Sequence, residues 1–447
     1  MLKFFAAIAF AVIFFAPTVA LAQYSHVVRV GLVREFANRD SIAVSNSQIF
    51  AGATVDDGFM PLAELTSAGG FAVRNSGGQI QVLSGGAVVH SFPAGAPGQI
   101  MCPYGQPLRL GGYAYRGVIE FVPAGNTVSA VNVLSLEEYL FGVLPSEMAP
   151  HFHPEALKAQ AVAARTYTFR QIRAGESHRA QPFDICDTTC CQVYRGADTE
   201  ADETTEAVVL TYGLILFHDN EPILANYFSS SGGTTENSED VWGGFRPYLR
   251  SVNEIAEHNP MVWERTFSWA QITSAAASAG AGIGTVTGVS ISQIGASGRV
   301  LQLTLHGTGG AWIVPPSVGV RGFFSPIGGA LPSRNFQIAG AAHTTPAVSA
   351  TNGTQNFEAP LNTFAAMDAR GAIFAPQHAY IYNGETSRRI DSVPTIASGG
   401  NGITINGRGW GHGVGMSQMG AEGMARAGHS FMEILHHYFT DVEIRWY

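Results

Sequence analysis

The chain has 447 residues, 46% of them hydrophobic and 13% charged, with a formal net charge of −9. This length fits two or three domains or one large composite domain, and the composition excludes an intrinsically disordered chain. The acidic balance argues against a nucleic-acid partner, which needs a basic face, and supplies no polybasic patch for a membrane surface.

The N-terminus reads as an export signal spanning residues 1–22. Lys3 supplies the positive start, Phe4 to Phe15 is an apolar run, and Ala20-Leu21-Ala22 before Gln23 forms an A-x-A cleavage site. The run is short for a span of about 20 residues. No other stretch is long and apolar enough, so no stable transmembrane anchor is expected. Export places the mature chain in the periplasm or cell envelope.

Residues 23–104 form a β-rich N-terminal accessory region. Val27, Val28, Val30 and Leu32 mark a first strand, and later runs such as QIQVLSGGAVVHSF alternate apolar and polar residues between Gly, Pro and Asn turns. LSLEEYLFGVL (134–144) is an amphipathic turn of helix. Pro145-Ser146-Glu147-Met148 then forms a tight turn carrying a single carboxylate. A second helix follows, with Pro154 at its first position, Glu155 at the positive end of its dipole, Ala-rich turns, and Gly175 as its stop.

Cys186-Asp-Thr-Thr-Cys190-Cys191 packs three of the four cysteines into six residues, with Cys102 the fourth. Such a cluster suits zinc. The competing reading is a disulfide in an exported chain, either Cys186–Cys191 or Cys102 with one of the cluster. ILANYFSSSGG reads as a strand entering a glycine-rich loop. Ser231, Gly232 and Gly233 could offer hydroxyl and N–H groups to a polar ligand, and Glu236, Asn237 and Trp242 make a set that suits a sugar. The same loop could also simply pack on the core.

Residues 266–325 continue as β structure, and 339–400 reads as a surface insertion of strands and loops. In the last block, glycines at 407, 409, 411, 413 and 415 allow close backbone approach, with His412 and Gln418 as the polar side chains presented. No phosphate-loop pattern occurs, and no organic cofactor is expected. A helix from about Met416 to Ala427 is followed by a capping box, Ser430 to Glu433, opening another.

Four blocks taken in order (LPSEM…PEALKAQAVAARTY, CDTTCCQVYRG, SSSGGTTENSEDVWGG and GRGWGHGVGMSQMGAEGMA) resemble the stage II sporulation protein D / amidase-enhancer family over residues 105–447. The resemblance implies an α+β fold, with a catalytic core of that family's type, a β-rich N-terminal region and a β/loop insertion at about 339–400. It makes Glu147 the catalytic acid. It implies that Gln160 and Arg165 line a groove, together with Tyr194, Ser231, Gly232, Gly233, His412 and Gln418. It also implies a structural zinc held by His and Cys side chains. Cys186 and Cys191 match directly, Cys190 stands where the family has His, and His178 is the candidate fourth ligand. The implied partners are peptidoglycan glycan strands and, for the enhancer branch, a cell-wall amidase.

Most glycoside hydrolases use two carboxylates, whereas Glu137, Glu138 and Glu155 read as ordinary helix-surface charges. One acid suffices in a lytic transglycosylase, where the sugar's own C6 hydroxyl attacks the anomeric carbon. The acid must then start protonated, which partial burial favours. Two readings stay open: a lytic transglycosylase, or a non-catalytic peptidoglycan-binding enhancer of an amidase. A helix-cap or ion-pair role for Glu147 is the bland alternative.

Overall fold

The computed structural model describes residues 26–55, 58–175, 178–339 and 396–447, together with short β-strands between 343 and 394. The expected export signal lies outside the described residues. The chain divides into two compact units. One comprises residues 1–150 and 168–212, the other 151–167 and 213–447.

The first unit is built on two mainly antiparallel sheets. The seven-stranded sheet runs Ile185–Cys186, Val27–Gly31, Thr127–Ser135, Val118–Ala124, Gly98–Met101, Gln48–Val55, Gly58–Thr66. The six-stranded sheet runs Tyr113–Tyr115, Leu108–Leu110, Ile42–Val44, Phe71–Ser76, Gln79–Ser84, Ala87–Ser91. Strands such as Phe71–Ser76 strictly alternate buried and open residues, as a one-sided sheet requires. The core between them includes Val30, Ile49, Val73, Ile80, Ile100 and Phe121, all fully buried. Gly98–Met101 pairs with strands on both sides of residue 104, so the β-rich N-terminal region shares one unit with residues 105–150 and 168–212.

The helix Leu136–Glu147 leaves this sheet directly. Leu136, Tyr139, Leu140, Val143 and Leu144 recur at helical spacing and are at most 1% exposed. Ser135 and Glu138 form a capping box at its start. The helix runs through Pro145, so Glu147 sits in its last turn and not in a separate tight turn. Pro145 is tolerated there because few turns remain to be disrupted. The Met148 N–H still closes on the Leu144 carbonyl, and the Ser146 hydroxyl donates to the Gly142 carbonyl at 2.8 Å. The next helix, Pro154–Ala174, follows the sequence expectation closely, with Gly175 past its end at φ 57°.

In the second unit, strand Gly402–Arg408 is central to a three-stranded antiparallel sheet with Val262–Ser268 and Phe336–Ile338. A four-stranded sheet orders Gly310–Ile313, Val300–Gly307, Val286–Ile294 and Ala397–Ser398. Helix Trp269–Ser278 contributes Ile272, Ala275 and Ala276 to the core that also holds Leu303, Leu305, Phe323 and Ile405. The 339–400 stretch forms short antiparallel pairs, among them Ala347–Thr351 with Asn356–Pro360 and His378–Tyr382 with Ser387–Asp391. Mixed helices and largely antiparallel sheets fit the α+β class. Among the described residues no helix is long and apolar enough to cross a membrane.

Candidate functional site

Glu147 stands half-buried at the end of its helix, and its Oε1 accepts the Val193 N–H at 2.7 Å. That contact depends on a glycine one helical turn earlier. A Cβ at Gly142 would lie 2.7 Å from the Tyr194 ring and 2.8 Å from the Gly196 carbonyl oxygen. Without one, the segment 192–196 lies flat on the helix and aims a backbone donor at the acid. Gln192, missed in the sequence reading, anchors the same segment. Its Oε1 accepts from the Tyr139 hydroxyl at 3.2 Å and from Thr168 at 2.7 Å. Tyr194 is 3% exposed and donates its hydroxyl to Asn132 at 2.8 Å. It thus braces the acid's support from below and presents no surface to a groove.

The neighbouring acids are not plain surface charges. Glu137 is buried, Glu138 closes the cap on Ser135, and Glu155 accepts the Phe431 N–H at 2.7 Å while pairing with Lys158.

Just upstream of this segment the cysteine cluster closes on itself. The two-residue strand Ile185–Cys186 pairs in parallel with Val30 and Gly31, which fixes where Cys186 starts. The ligand atoms of His178, Cys186, Cys190 and Cys191 lie within 4.8 Å of one another. His178 Nε2 is 3.2 Å from Cys191 Sγ. The Cys186 thiol is pushed down to about 4, chiefly by its hydrogen bond with Cys191, and the Cys191 thiol is correspondingly raised. All four cysteines are free thiols, and Cys102 is buried away from the cluster beside Asn46. Three thiols and one imidazole converging at this spacing are a zinc-type donor set, so the residues present fit the expected ion.

The second unit holds the two glycine-rich blocks. The Ser231 and Gly232 donors expected to serve a ligand are spent internally. One carboxylate, Glu257, accepts from Ser230 Oγ (2.7 Å), the Ser231 N–H (2.8 Å) and the Gly232 N–H (3.2 Å). The Gly233 N–H turns to Ser231 Oγ at 3.0 Å. No local pattern links Glu257 to the loop; a separation of 25 to 27 residues hides the pairing.

His412 is likewise engaged. Its Nδ1 accepts the Val414 N–H at 3.1 Å, and a hydrogen bond ties the ring to the Tyr227 backbone. Burial, then Arg321, Arg299 and Arg334, push it down to about 4, so it is neutral near pH 7. Its ring packs between Phe228 and the half-exposed Trp242, with centroids 5.5 and 5.1 Å away. Gln160 and Gln418 are buried and share a 3.5 Å hydrogen bond. Arg165 is fully buried and reaches the Leu214 carbonyl at 3.3 Å. Of the side chains implied as groove-lining, Gln160, Arg165, Tyr194, Ser231 and Gln418 are therefore all buried, and they build the frame instead of facing outward.

The family model described as stage II sporulation protein matches residues 124–218, the segment that carries Glu147 and the cysteine cluster. The chain is 31% identical to stage II sporulation protein D of Bacillus amyloliquefaciens, covering 70% of this chain and 75% of that one. It is 30% identical to an uncharacterized protein of Brachyspira hyodysenteriae over 75% of this chain and 73% of that one. Similarity extends to the amidase enhancer of Bacillus subtilis, at 29% identity over 69% of this chain and 40% of the relative.

Proposed function

Because the chain belongs to the stage II sporulation protein D family, we propose that it is an exported peptidoglycan lytic transglycosylase with Glu147 as its single acid and base. One observation carries this reading. Within the family-matched segment, Glu147 is a half-buried carboxyl at a helix end, its orientation set by the Val193 N–H. A general acid needs this combination of access and fixed aim.

The protonated Glu147 donates its hydrogen to the bridging glycosidic oxygen, and the bond from that oxygen to the anomeric carbon breaks. The C6 hydroxyl oxygen of the same muramoyl residue bonds to the anomeric carbon. Its proton passes to the Glu147 carboxylate, which restores the acid. No water is consumed, and the product ends in a 1,6-anhydro ring. Val193, Gln192 and Tyr194 act by positioning the acid. His178, Cys186, Cys190 and Cys191 would hold a zinc ion that staples the loop preceding them and takes no part in proton transfer.

Similarity to an amidase enhancer favours a second reading, in which the protein only holds glycan for a cell-wall amidase. Incubating purified protein with peptide-free glycan and no partner separates the two. Release of anhydro sugar supports the enzyme, and binding without release supports the enhancer.

A further inference from the structure

An open cleft of the second unit, about 730 Å³ in volume, lies on the three-stranded sheet, bordered by Gly232 of one glycine-rich block and by Gly407 and Arg408 at the start of the other. Its bed is a row of polar side chains set by strand register. Glu264 pairs with Asn406, and Asn406 with Gln337, so the three share one face. All three are exposed, and Arg408, two residues beyond Asn406, extends the same face. Neighbouring strands are about 4.8 Å apart, so the row spans roughly 10 Å. Asn335 borders the cleft, clamped by its Nδ2 to the Gly232 carbonyl at 3.2 Å.

Trp263, Gly407 and Phe336, which also line the cleft, alternate with this row along the three strands and pack closely. The Trp263 ring lies against Gly407, where a Cβ would come within 2.1 Å of it, and its Nε1 donates to the Gly409 carbonyl at 3.1 Å. Phe336, beside it, belongs to the core. A flat bed of carboxamide, carboxylate and guanidinium groups, held by paired strands, matches the alternating donors and acceptors around a sugar ring. It also loses little freedom on binding.

We infer that this cleft is a saccharide-binding subsite for N-acetylated amino-sugar strands, with Asn406 and Gln337 as its central contacts. The inference rests on the glycan reading above and adds a place on the second unit where a strand is held. The test uses the full chain carrying Glu147→Gln, so that ligand is bound but not consumed. Binding of N-acetylglucosamine oligomers and of peptide-free peptidoglycan strands is measured by calorimetry. It is compared with the same protein also carrying Asn406→Ala and Gln337→Ala, and with one carrying Gln337→Ala alone. Loss of two central contacts is expected to weaken binding at least about tenfold, with a smaller loss for the single change. Melting curves should coincide, because both side chains are solvent-facing. Glycan binding unchanged by the double substitution overturns the subsite and leaves the glycan reading standing. Absence of any glycan binding by the Glu147→Gln protein sinks both.

Discussion

The acid-bearing block of the first unit and the glycine-rich blocks of the second use their polar residues in opposite ways. Around Glu147 the neighbours are consumed so that one carboxyl stays accessible. Gly142 yields space, Gln192 and Tyr194 are tied inward, and Val193 supplies one aimed N–H. Around Ser231 and His412 the reverse holds. Glu257 takes the loop's donors, and both sides of the His412 ring are bonded at home. Motif density therefore marks where a chain is tightly specified, and a half-buried carboxyl aimed by its neighbours marks where it can act on something else.

The contrast can be broken first at the acid. Glu147→Gln keeps the Val193 contact and removes the proton, so anhydromuramoyl release should fall by about 10²-fold or more with the fold retained. Product release is read by mass spectrometry and the fold by circular dichroism. Next comes the cysteine cluster. Wild-type protein purified under reducing conditions should carry one zinc per chain by metal analysis, and Cys186→Ser should lose it, since one of four ligands is gone. Thiol titration that instead reveals a disulfide within the cluster would remove the zinc assignment.

The second unit should respond through stability. Glu257→Ala strands the buried Ser231 N–H and the Ser230 hydroxyl, for a loss of about 2–4 kcal/mol in denaturant unfolding. An unchanged midpoint would mean the loop does not depend on that carboxylate. Gly142→Ala in the first unit forces the 194–196 segment away from the helix, at about 1–3 kcal/mol. Because the same shift carries Val193 off Glu147, it should also lower the rate in the fraction that stays folded.

The last effect is on pH. The folded pKa of His412, about 4, lies below its unfolded value of 6.5. Between these values the unfolded chain binds the extra proton, so this contribution is whole above about pH 6.5 and is lost as pH falls toward 4. Melting temperatures should drop across that window, and His412→Gln should flatten the drop.

Much of this was legible in the sequence because the signals are local. Pro154 and Gly175 bracket the alanine-rich helix as read, and Ser430 with Glu433 forms the expected capping box. The cysteine cluster with His178 could be proposed because its members lie within 14 residues of one another and share one chemistry. What escaped was long-range. Nothing beside Ser231 announces Glu257, and nothing beside Glu147 announces Val193, since each pairing is made by the chain's return and not by spacing. Pro145 suggested a break where the helix continues, because a proline so near a helix end disturbs little.

The account turns on whether this protein alone cuts glycan, and a single digest tests that most directly. Peptide-free strands incubated with purified protein, without any amidase, are scored for 1,6-anhydro ends against reducing ends. The account predicts anhydro ends from the wild type and none from Glu147→Gln. Strands that stay intact with the wild type, or equal anhydro product from the variant, would contradict it.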